Sequence, residues 1–250
     1  MERNLEQYKK IYDDLPFEKY QVLFRRKNIL KQIKRADPQC VLEIGCGNQP
    51  LYREDLEKRK WVIVEPEKTF YKRAKKDATK NVVLYCKYFE ECVQDICVKF
   101  PNIDYIVCSC LLHEVENPEK ILAGINQICN KNTIVYINVP NANSLHRILA
   151  KEMNLISNVY EMSEQQKRLQ QSGTVYDIQH LTDICEKNGL QIINQGSYFI
   201  KPFTHQQMQE CLDYRIFDMK LLEGLNRMIE YLPEYGSEIF VECKKYMQEM

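Results

Sequence analysis

The 250-residue chain has no net charge, because 35 lysine and arginine residues balance 35 aspartate and glutamate residues. A protein that grips nucleic acid normally carries a basic excess, so DNA or RNA is a disfavoured partner. The sequence also lacks any apolar run as long as a membrane span, and it begins with polar and charged residues. We therefore expect no membrane partner and a cytoplasmic location, whereas the oligomeric state stays open.

The spacings typical of metal sites are also missing. No C-x-x-C pair occurs among the 11 cysteines, and the four histidines are scattered, so we expect no metal site. An odd number of cysteines without a secretory leader is typical of reduced intracellular thiols. Neither internal repeats nor low-complexity linkers occur, and the length suits one α/β domain with insertions.

Glycine is scarce, with eight residues, yet two glycines follow one apolar run closely. The run Val41–Gly47, in which Glu43 is embedded, predicts a strand that turns abruptly at Gly45 and Gly47. Pro50 suits the first turn of a following helix. Glycine lets a ligand approach bare backbone, and ligands of open α/β sheets bind beyond the carboxyl ends of strands. The turn therefore predicts a nucleotide or nucleoside site.

Details of this turn restrict the nucleoside. A dinucleotide fold prefers glycine or alanine where Pro50 stands, and no G-K-S/T follows, which excludes a P-loop. Glu43 would repel a pyrophosphate but suits a cationic ligand. Glu65 ends the next apolar run, 18 residues after Gly47, where a carboxylate can accept from both hydroxyls of a ribose. Alternatively, Glu65 only caps the helix that follows. A nicotinamide-dependent oxidoreductase is thus disfavoured.

Apolar runs and helical periods alternate along the chain, which predicts a parallel sheet with helices on both faces. The predicted units are βα pairs at 40–58, 61–77 and 81–99, a strand at 103–109 with a helix at 118–130, a strand at 133–139, a helix at 177–188, a strand near 190–200 and a last strand at 238–243.

Three further segments carry a family resemblance, together with the glycine turn. These are Ile103–Pro118, Val135–Asn141 and Gly173–Asp177. With them, the chain from about Cys40 to about Ile200 resembles class I S-adenosylmethionine-dependent methyltransferases. It is similar to the small-molecule branch that carries an acid–histidine pair after the fourth strand. That branch usually reads Glu-His, whereas this chain reads His113-Glu114.

The resemblance implies a seven-stranded Rossmann-like sheet, mostly parallel, with an antiparallel edge strand. It implies a single methyltransferase domain over 1–250, with a helical N-terminal cover at 1–36 and a cofactor-binding core at 37–140. Helical insertions at 141–176 and 204–234 would form a lid over the substrate. S-adenosyl-L-methionine would be the cofactor, and the acceptor would be an O or N nucleophile of a small-molecule metabolite.

Each candidate residue has a role in that reaction. His113 and Glu114 are the catalytic candidates, although a loop histidine can simply bind backbone and Glu114 can cap the next helix. Either Tyr88 or Phe89 would stack on adenine, unless both belong to the core. The candidates for cofactor binding are Glu43, Gly45, Cys46, Gly47, Glu65, Tyr88, Phe89, Ser109 and Cys110, and those for substrate binding are His146, Tyr176 and Tyr198.

Two other functions stay open from the sequence. A degenerate module that binds S-adenosylmethionine, or serves only as an interaction partner, is compatible with the inverted His113-Glu114 pair and the missing third glycine. An RNA or protein methyltransferase would instead need a basic groove or an extended acceptor channel.

Overall fold

The structure is a computed structural model that describes residues 15–55, 59–162, 167 and 174–247. Its strands are β1 (Cys40–Ile44), β2 (Lys60–Val64), β3 (Val82–Tyr85), β4 (Tyr105–Ser109), β5 (Ile134–Pro140), β6 (Leu190–Tyr198) and β7 (Glu238–Lys245). They form one sheet in the order β3-β2-β1-β4-β5-β7-β6. The first five strands are parallel, and β7 is antiparallel to both of its neighbours. The expected seven-stranded Rossmann-like fold is confirmed.

The antiparallel last strand lies one place inside the sheet, and β6 forms the edge beyond it. β7 is buried along its first six residues, whereas every second residue in the middle of β6 is exposed. In this register Glu238, the first residue of β7, stands opposite Pro140 and Tyr198. Glu238 therefore lies at the carboxyl edge of the parallel strands, although it begins its own strand.

Helices cover both faces of the sheet, and several begin at a capping side chain. Asn117, Asp177, Thr204 and Asp218 each accept a hydrogen bond from a backbone N–H three residues later. The helices are α1 (Glu18–Ala36), α2 (Lys68–Lys76), α3 (Val93–Lys99), α4 (Pro118–Ile128), α5 (Leu145–Glu152), α6 (Ile178–Lys187), α7 (His205–Asp213) and α8 (Met219–Arg227).

Alternate residues of β1 face opposite layers of the core. Val41 packs in one cluster with α1, α7 and α8, through side chains such as Phe24, Met208 and Leu222. Leu42 packs on the other face with residues of α3, α4 and α6. Burial on both faces explains why these strands read as nearly continuous apolar runs.

The helix predicted directly after β1 is wrong for the residues described there. Pro50 has an extended backbone, with ψ of 143°, and precedes a single 3₁₀ turn at Leu51–Arg53. Glu43 accepts from the Leu51 N–H, and Arg26 donates to the carbonyl oxygens of Gln49 and Pro50. These buried side chains satisfy backbone groups of this short loop.

The predicted division into a cover, a core and two insertions stays a prediction, and the described helices of the cover and the insertions lie within its bounds. α1 lies in the N-terminal cover, of which residues 1–14 are outside the described residues. α5 occupies the first predicted insertion, where 163–166 and 168–173 are not described, and α7 and α8 occupy the second. Among the helices in the described ranges, none combines the length and apolarity needed to cross a bilayer.

Candidate active site

A cavity of about 1840 Å³ opens at the carboxyl edge of the sheet. Pockets for one drug-sized ligand are usually about 300–1,000 Å³, so this cavity has room for a nucleoside and a second small molecule. Residues of α1, α5 and α7 line it together with the glycine turn. The sequence-predicted residues that line it are Glu43, Gly45, Cys46, Gly47, Glu65, Tyr88, Phe89, Ser109, Cys110, His113, Glu114 and His146.

The glycine turn forms a wall of bare backbone. Gly45 and Gly47 have φ of +75° and +53°, a region that side chains with a Cβ rarely adopt. A Cβ added to either glycine would meet no atom within 4 Å, because open cavity lies above the turn. Cys46, between them, is 7% exposed, and burial raises the pKa of its thiol. The turn thus offers a ligand close contact with the main chain.

Glu65 fixes the glycine turn to the end of β2. Its carboxylate accepts from the Gly47 N–H at 2.9 Å and from the Glu67 N–H at 2.9 Å. Burial raises the pKa of Glu65, and these two donors oppose part of that rise. Each carboxylate oxygen can accept a further hydrogen bond, so the residue suits a ligand with two adjacent hydroxyls.

Glu43 supports the turn from below. Its oxygens lie 3.2 and 3.0 Å from the Leu51 N, and the side chain is buried. Burial raises the pKa of Glu43 to about 8, although the Leu51 N–H and the Arg26 charge act in the opposite direction. The embedded acid therefore serves the loop that borders the cavity, and its direct contact with a ligand stays a prediction.

The segment after β4 brings the two catalytic candidates to the cavity. Cys110 adopts φ of +50°, which turns the chain at the end of the strand, and its N–H still donates to the Asn138 carbonyl at 2.9 Å. His113 follows, 5% exposed, and its Nε2 lies 3.8 Å from Glu114 Oε1. An imidazole beside a carboxylate is suited to taking up a proton.

The two aromatic candidates at the end of the third βα unit differ in exposure. Tyr88 is 45% exposed, whereas Phe89 is 3% exposed and packs in the core. A Cβ added to Gly124 would lie 2.9 Å from the Phe89 ring, so that ring is wedged against α4. Of the two, Tyr88 has the more accessible ring, and its stacking on a ligand stays a prediction.

Two predicted substrate residues do not line the cavity. Tyr176 is 2% exposed and packs in the core with Leu181, because its backbone bridges Asn141 and directs the ring beneath α6. Tyr198 is 4% exposed and donates its hydroxyl to Glu238. Their assignment as substrate contacts is corrected: Tyr176 is a core residue, and Tyr198 supports the cavity wall.

Sequence reasoning missed the network around Glu238. The Arg25 Nη2 lies 2.6 Å from Glu238 Oε1, and Gln21 and Asn138 donate to the same carboxylate at 2.8 and 2.9 Å. Burial would raise the pKa of Glu238, but Arg25 and the hydroxyl of Tyr198 lower it to about 2. No local pattern could reveal this network, since α1 and β7 lie at opposite ends of the sequence.

Lys201 and His205 were missed as well. Both line the cavity near His146, and Lys201 is only 4% exposed. Burial lowers the pKa of Lys201 to about 7. Burial also lowers the pKa of His146 and of His205, and the nearby charge of Lys201 adds to that effect. The one available signal was a lysine directly after the apolar run that ends β6.

The family assignment follows from a sequence comparison. A family profile described as "Methyltransferase domain" matches residues 17–195, which include α1, β1 to β5 and the glycine turn. The chain belongs to this methyltransferase family. The resemblance to class I S-adenosylmethionine-dependent methyltransferases is thereby confirmed. No curated protein matches this methyltransferase in sequence.

Solved structures of methyltransferases share the fold. A SAM-dependent methyltransferase from Archaeoglobus fulgidus is 15% identical over 90% of this chain and 98% of its own, with a TM-score of 0.54. A possible histamine N-methyltransferase from Thermotoga maritima is 14% identical over 96% and 98%, with a TM-score of 0.58. The plantazolicin methyltransferase, solved with a triazolic desmethylPZN analog and SAH, is 17% identical over 96% and 95%, with a TM-score of 0.53.

Proposed function

We propose that this methyltransferase transfers the methyl group of S-adenosylmethionine to an oxygen or nitrogen of a small metabolite. The observation that carries the proposal is the continuity of the cavity. One volume of about 1840 Å³ reaches from Gly45 and Glu65 to Arg25 and His146, which allows cofactor and acceptor to meet inside it.

The residues at the glycine turn fit S-adenosylmethionine. Gly45 and Gly47 leave space for close approach, and Glu65 accepts from the ribose hydroxyls. Tyr88 stacks on the adenine, whereas Ser109 and Cys110 line the methionine half, on the side of the catalytic candidates. Structures of the plantazolicin enzyme and of a phosphoethanolamine N-methyltransferase from Haemonchus contortus, both solved with such cofactors, support this assignment.

The chemistry asks little of the protein beyond placement. When bound, S-adenosylmethionine supplies a methyl group already activated by its sulfonium for in-line displacement. The protein aligns the acceptor and excludes water, which contributes up to about 7–11 kcal/mol in favourable models. For a hydroxyl acceptor, His113 Nε2 takes the proton, and the Glu114 carboxylate at 3.8 Å stabilises the imidazolium.

The helical cover and the insertions border the acceptor. α1 contributes Gln21 and Arg25, and the insertions at 141–176 and 204–234 contribute His146 and His205. Such a concave pocket, lined from several elements, favours a small acceptor over RNA or protein. All 11 cysteines are free thiols, which supports a cytoplasmic location.

Isothermal titration with S-adenosylhomocysteine, using NADH as the control, tests the cofactor. We expect micromolar binding of S-adenosylhomocysteine alone. Binding of neither compound would favour a degenerate module. Binding of NADH would instead indicate a nicotinamide-dependent oxidoreductase.

Incubation with methyl-labelled S-adenosylmethionine and a cell extract tests the acceptor class. We expect label in the small-molecule fraction, and none with the Gly45→Val variant. Label that enters RNA or protein instead would replace the small-molecule proposal with macromolecular methylation.

A further inference from the structure

One lysine that lines the cavity, Lys201, has no partner among the residues that the structure describes. Lys201 is 4% exposed and lines the cavity beyond the end of β6. Within the described parts of the chain, its ammonium makes no hydrogen bond and no ion pair within 4.0 Å. A buried cation that lacks a partner is costly, so such a group usually gains a partner of opposite charge or loses its proton more easily.

The carboxylates nearest to Lys201 are engaged elsewhere. Glu18 and Glu238 both act on the lysine through space. Glu238 is bound by Arg25, Gln21 and Asn138, and Glu18 lies 3.4 Å from Arg25 and 3.8 Å from His205. Arg147 adds a further positive charge and donates only to backbone carbonyls of Val159 and Glu161 in the described residues. The positive charge of the lysine is therefore not neutralised by a contact.

Two imidazoles line the cavity within range of the Lys201 charge. The Nδ1 atom of His146 is buried and makes no hydrogen bond to any residue that the structure describes, and that of His205 makes none either but lies 3.8 Å from Glu18 Oε2. His205 is the first residue of α7, whose dipole places partial positive charge at that end. These positive features favour a negative ligand on this side of the cavity.

We propose that Lys201, His146 and His205 form an anion pocket, which binds a carboxylate or phosphate group carried by the methyl acceptor. This inference rests on the proposed function, because it assigns the substrate class of the same cavity. The anion would neutralise Lys201 and accept hydrogen bonds from the imidazoles. It would also anchor one end of the acceptor, so that the nucleophilic end lies on the side of His113.

Histidine nitrogen NMR tests the anion pocket directly. The chain has only four histidines, so protein labelled with ¹⁵N-histidine gives few imidazole signals. His180 is an internal reference, since its side chain is 58% exposed and bound to Asp177. The protein is titrated with inorganic phosphate and, separately, with sodium acetate, at matched pH and against sodium chloride. Signals are assigned with His146→Gln and His205→Gln variants.

We expect phosphate or acetate to shift the His146 and His205 signals at millimolar concentration, while His180 stays in place. The Lys201→Met variant should weaken this response by about tenfold or more, because it removes the charged donor. Lys220→Met, at an exposed lysine of α8, is the matched control and should respond as the wild type does. A response to phosphate alone indicates a phosphorylated acceptor, and a response to acetate alone indicates a carboxylated one.

Two outcomes would overturn the anion pocket: no shift with either salt, or equal shifts in Lys201→Met. Titration of the same samples with S-adenosylhomocysteine separates this inference from the proposed function. Binding of S-adenosylhomocysteine without an anion response refutes the pocket and retains the methyltransferase function. An anion response without binding of S-adenosylhomocysteine retains the pocket and refutes the proposed function.

Discussion

Arg25 and Glu238 are 213 positions apart in the sequence and form a bidentate ion pair at the cavity wall. The Arg25 Nη2 lies 2.6 Å from Glu238 Oε1, and its Nε lies 2.9 Å from Oε2. Both side chains are largely buried, with 14% and 3% exposure. The pair joins α1 to the start of β7, so the helical cover is tied to the sheet at the place where the acceptor would bind.

Breaking this pair should destabilise the protein. Arg25→Met leaves a buried carboxylate without its cation, which typically costs about 3–5 kcal/mol in the free energy of unfolding. The double variant Arg25→Met/Glu238→Gln removes both charges and should recover part of that loss. Urea unfolding of the wild type, both single variants and the double variant measures the coupling. Strictly additive losses would show that the pair contributes no coupling energy.

Gly45→Val should abolish binding of S-adenosylhomocysteine while the protein stays folded. The φ of +75° strains any β-branched residue, and the new side chain would occupy the open space over the turn. Isothermal titration and thermal unfolding measure the two effects separately. Gly224→Ala in α8 is the control. A Cβ at Gly224 would also meet no atom within 4 Å, but this residue does not line the cavity. Unchanged affinity in Gly45→Val would mean that the cofactor binds elsewhere.

His113→Ala should lower turnover of a hydroxyl acceptor by about 10²–10⁴-fold, the usual contribution of a general base. Affinity for S-adenosylhomocysteine should stay the same, since the imidazole acts on the acceptor. Steady-state rates and isothermal titration measure these quantities. His180→Ala, at an exposed site on α6, should leave both unchanged. If turnover survives in His113→Ala, the histidine is a loop residue and Glu114 or solvent removes the proton.

Lys201 should make the protein more stable as the pH rises from 7 to 10. Its pKa is about 7 in the folded protein and 10.5 ordinarily, so the unfolded chain binds more protons in this window. Relative to Lys201→Met, the wild type should gain about 2 kcal/mol in the free energy of unfolding between pH 7 and pH 9. Urea unfolding of both proteins at the two values provides the comparison. A constant difference between them would show that Lys201 keeps an ordinary pKa.

Local sequence patterns predicted the sheet and the glycine turn, because a strand and a backbone turn with positive φ are each indicated by residue types within a short stretch of sequence. Gly45, Gly47 and Glu65 lie where the pattern indicated. Local patterns could not show whether the Tyr176 side chain, next to Asn141, would face the cavity or the core, and it lies in the core. The helix expected at Pro50 also failed, since Arg26, from another element, binds the carbonyls that would have started it.

The polar residues around Glu238 and Lys201 could not be predicted from local sequence patterns, for a different reason. Gln21, Asn138 and Glu238 come from α1, β5 and β7, Lys201 follows β6, and they come together only when β7 inserts between β5 and β6. Gln21, Lys201 and Glu238 stand in no motif, and Asn138, although it lies in the Val135–Asn141 segment, was not a candidate. Their shared burial arises from topology, which a single sequence does not display.

The position of β7 has a consequence for synthesis and assembly. Because this strand separates β5 from β6, β6 has no partner in the described sheet until residues near 240 have been made. The cavity wall around Arg25 and Asn138 needs Glu238 as well. The glycine turn can therefore form early, whereas this wall forms last. Long-range strand insertion of this kind is slow to fold. A nascent chain would thus form the glycine turn first and complete the cavity only when β7 has been added.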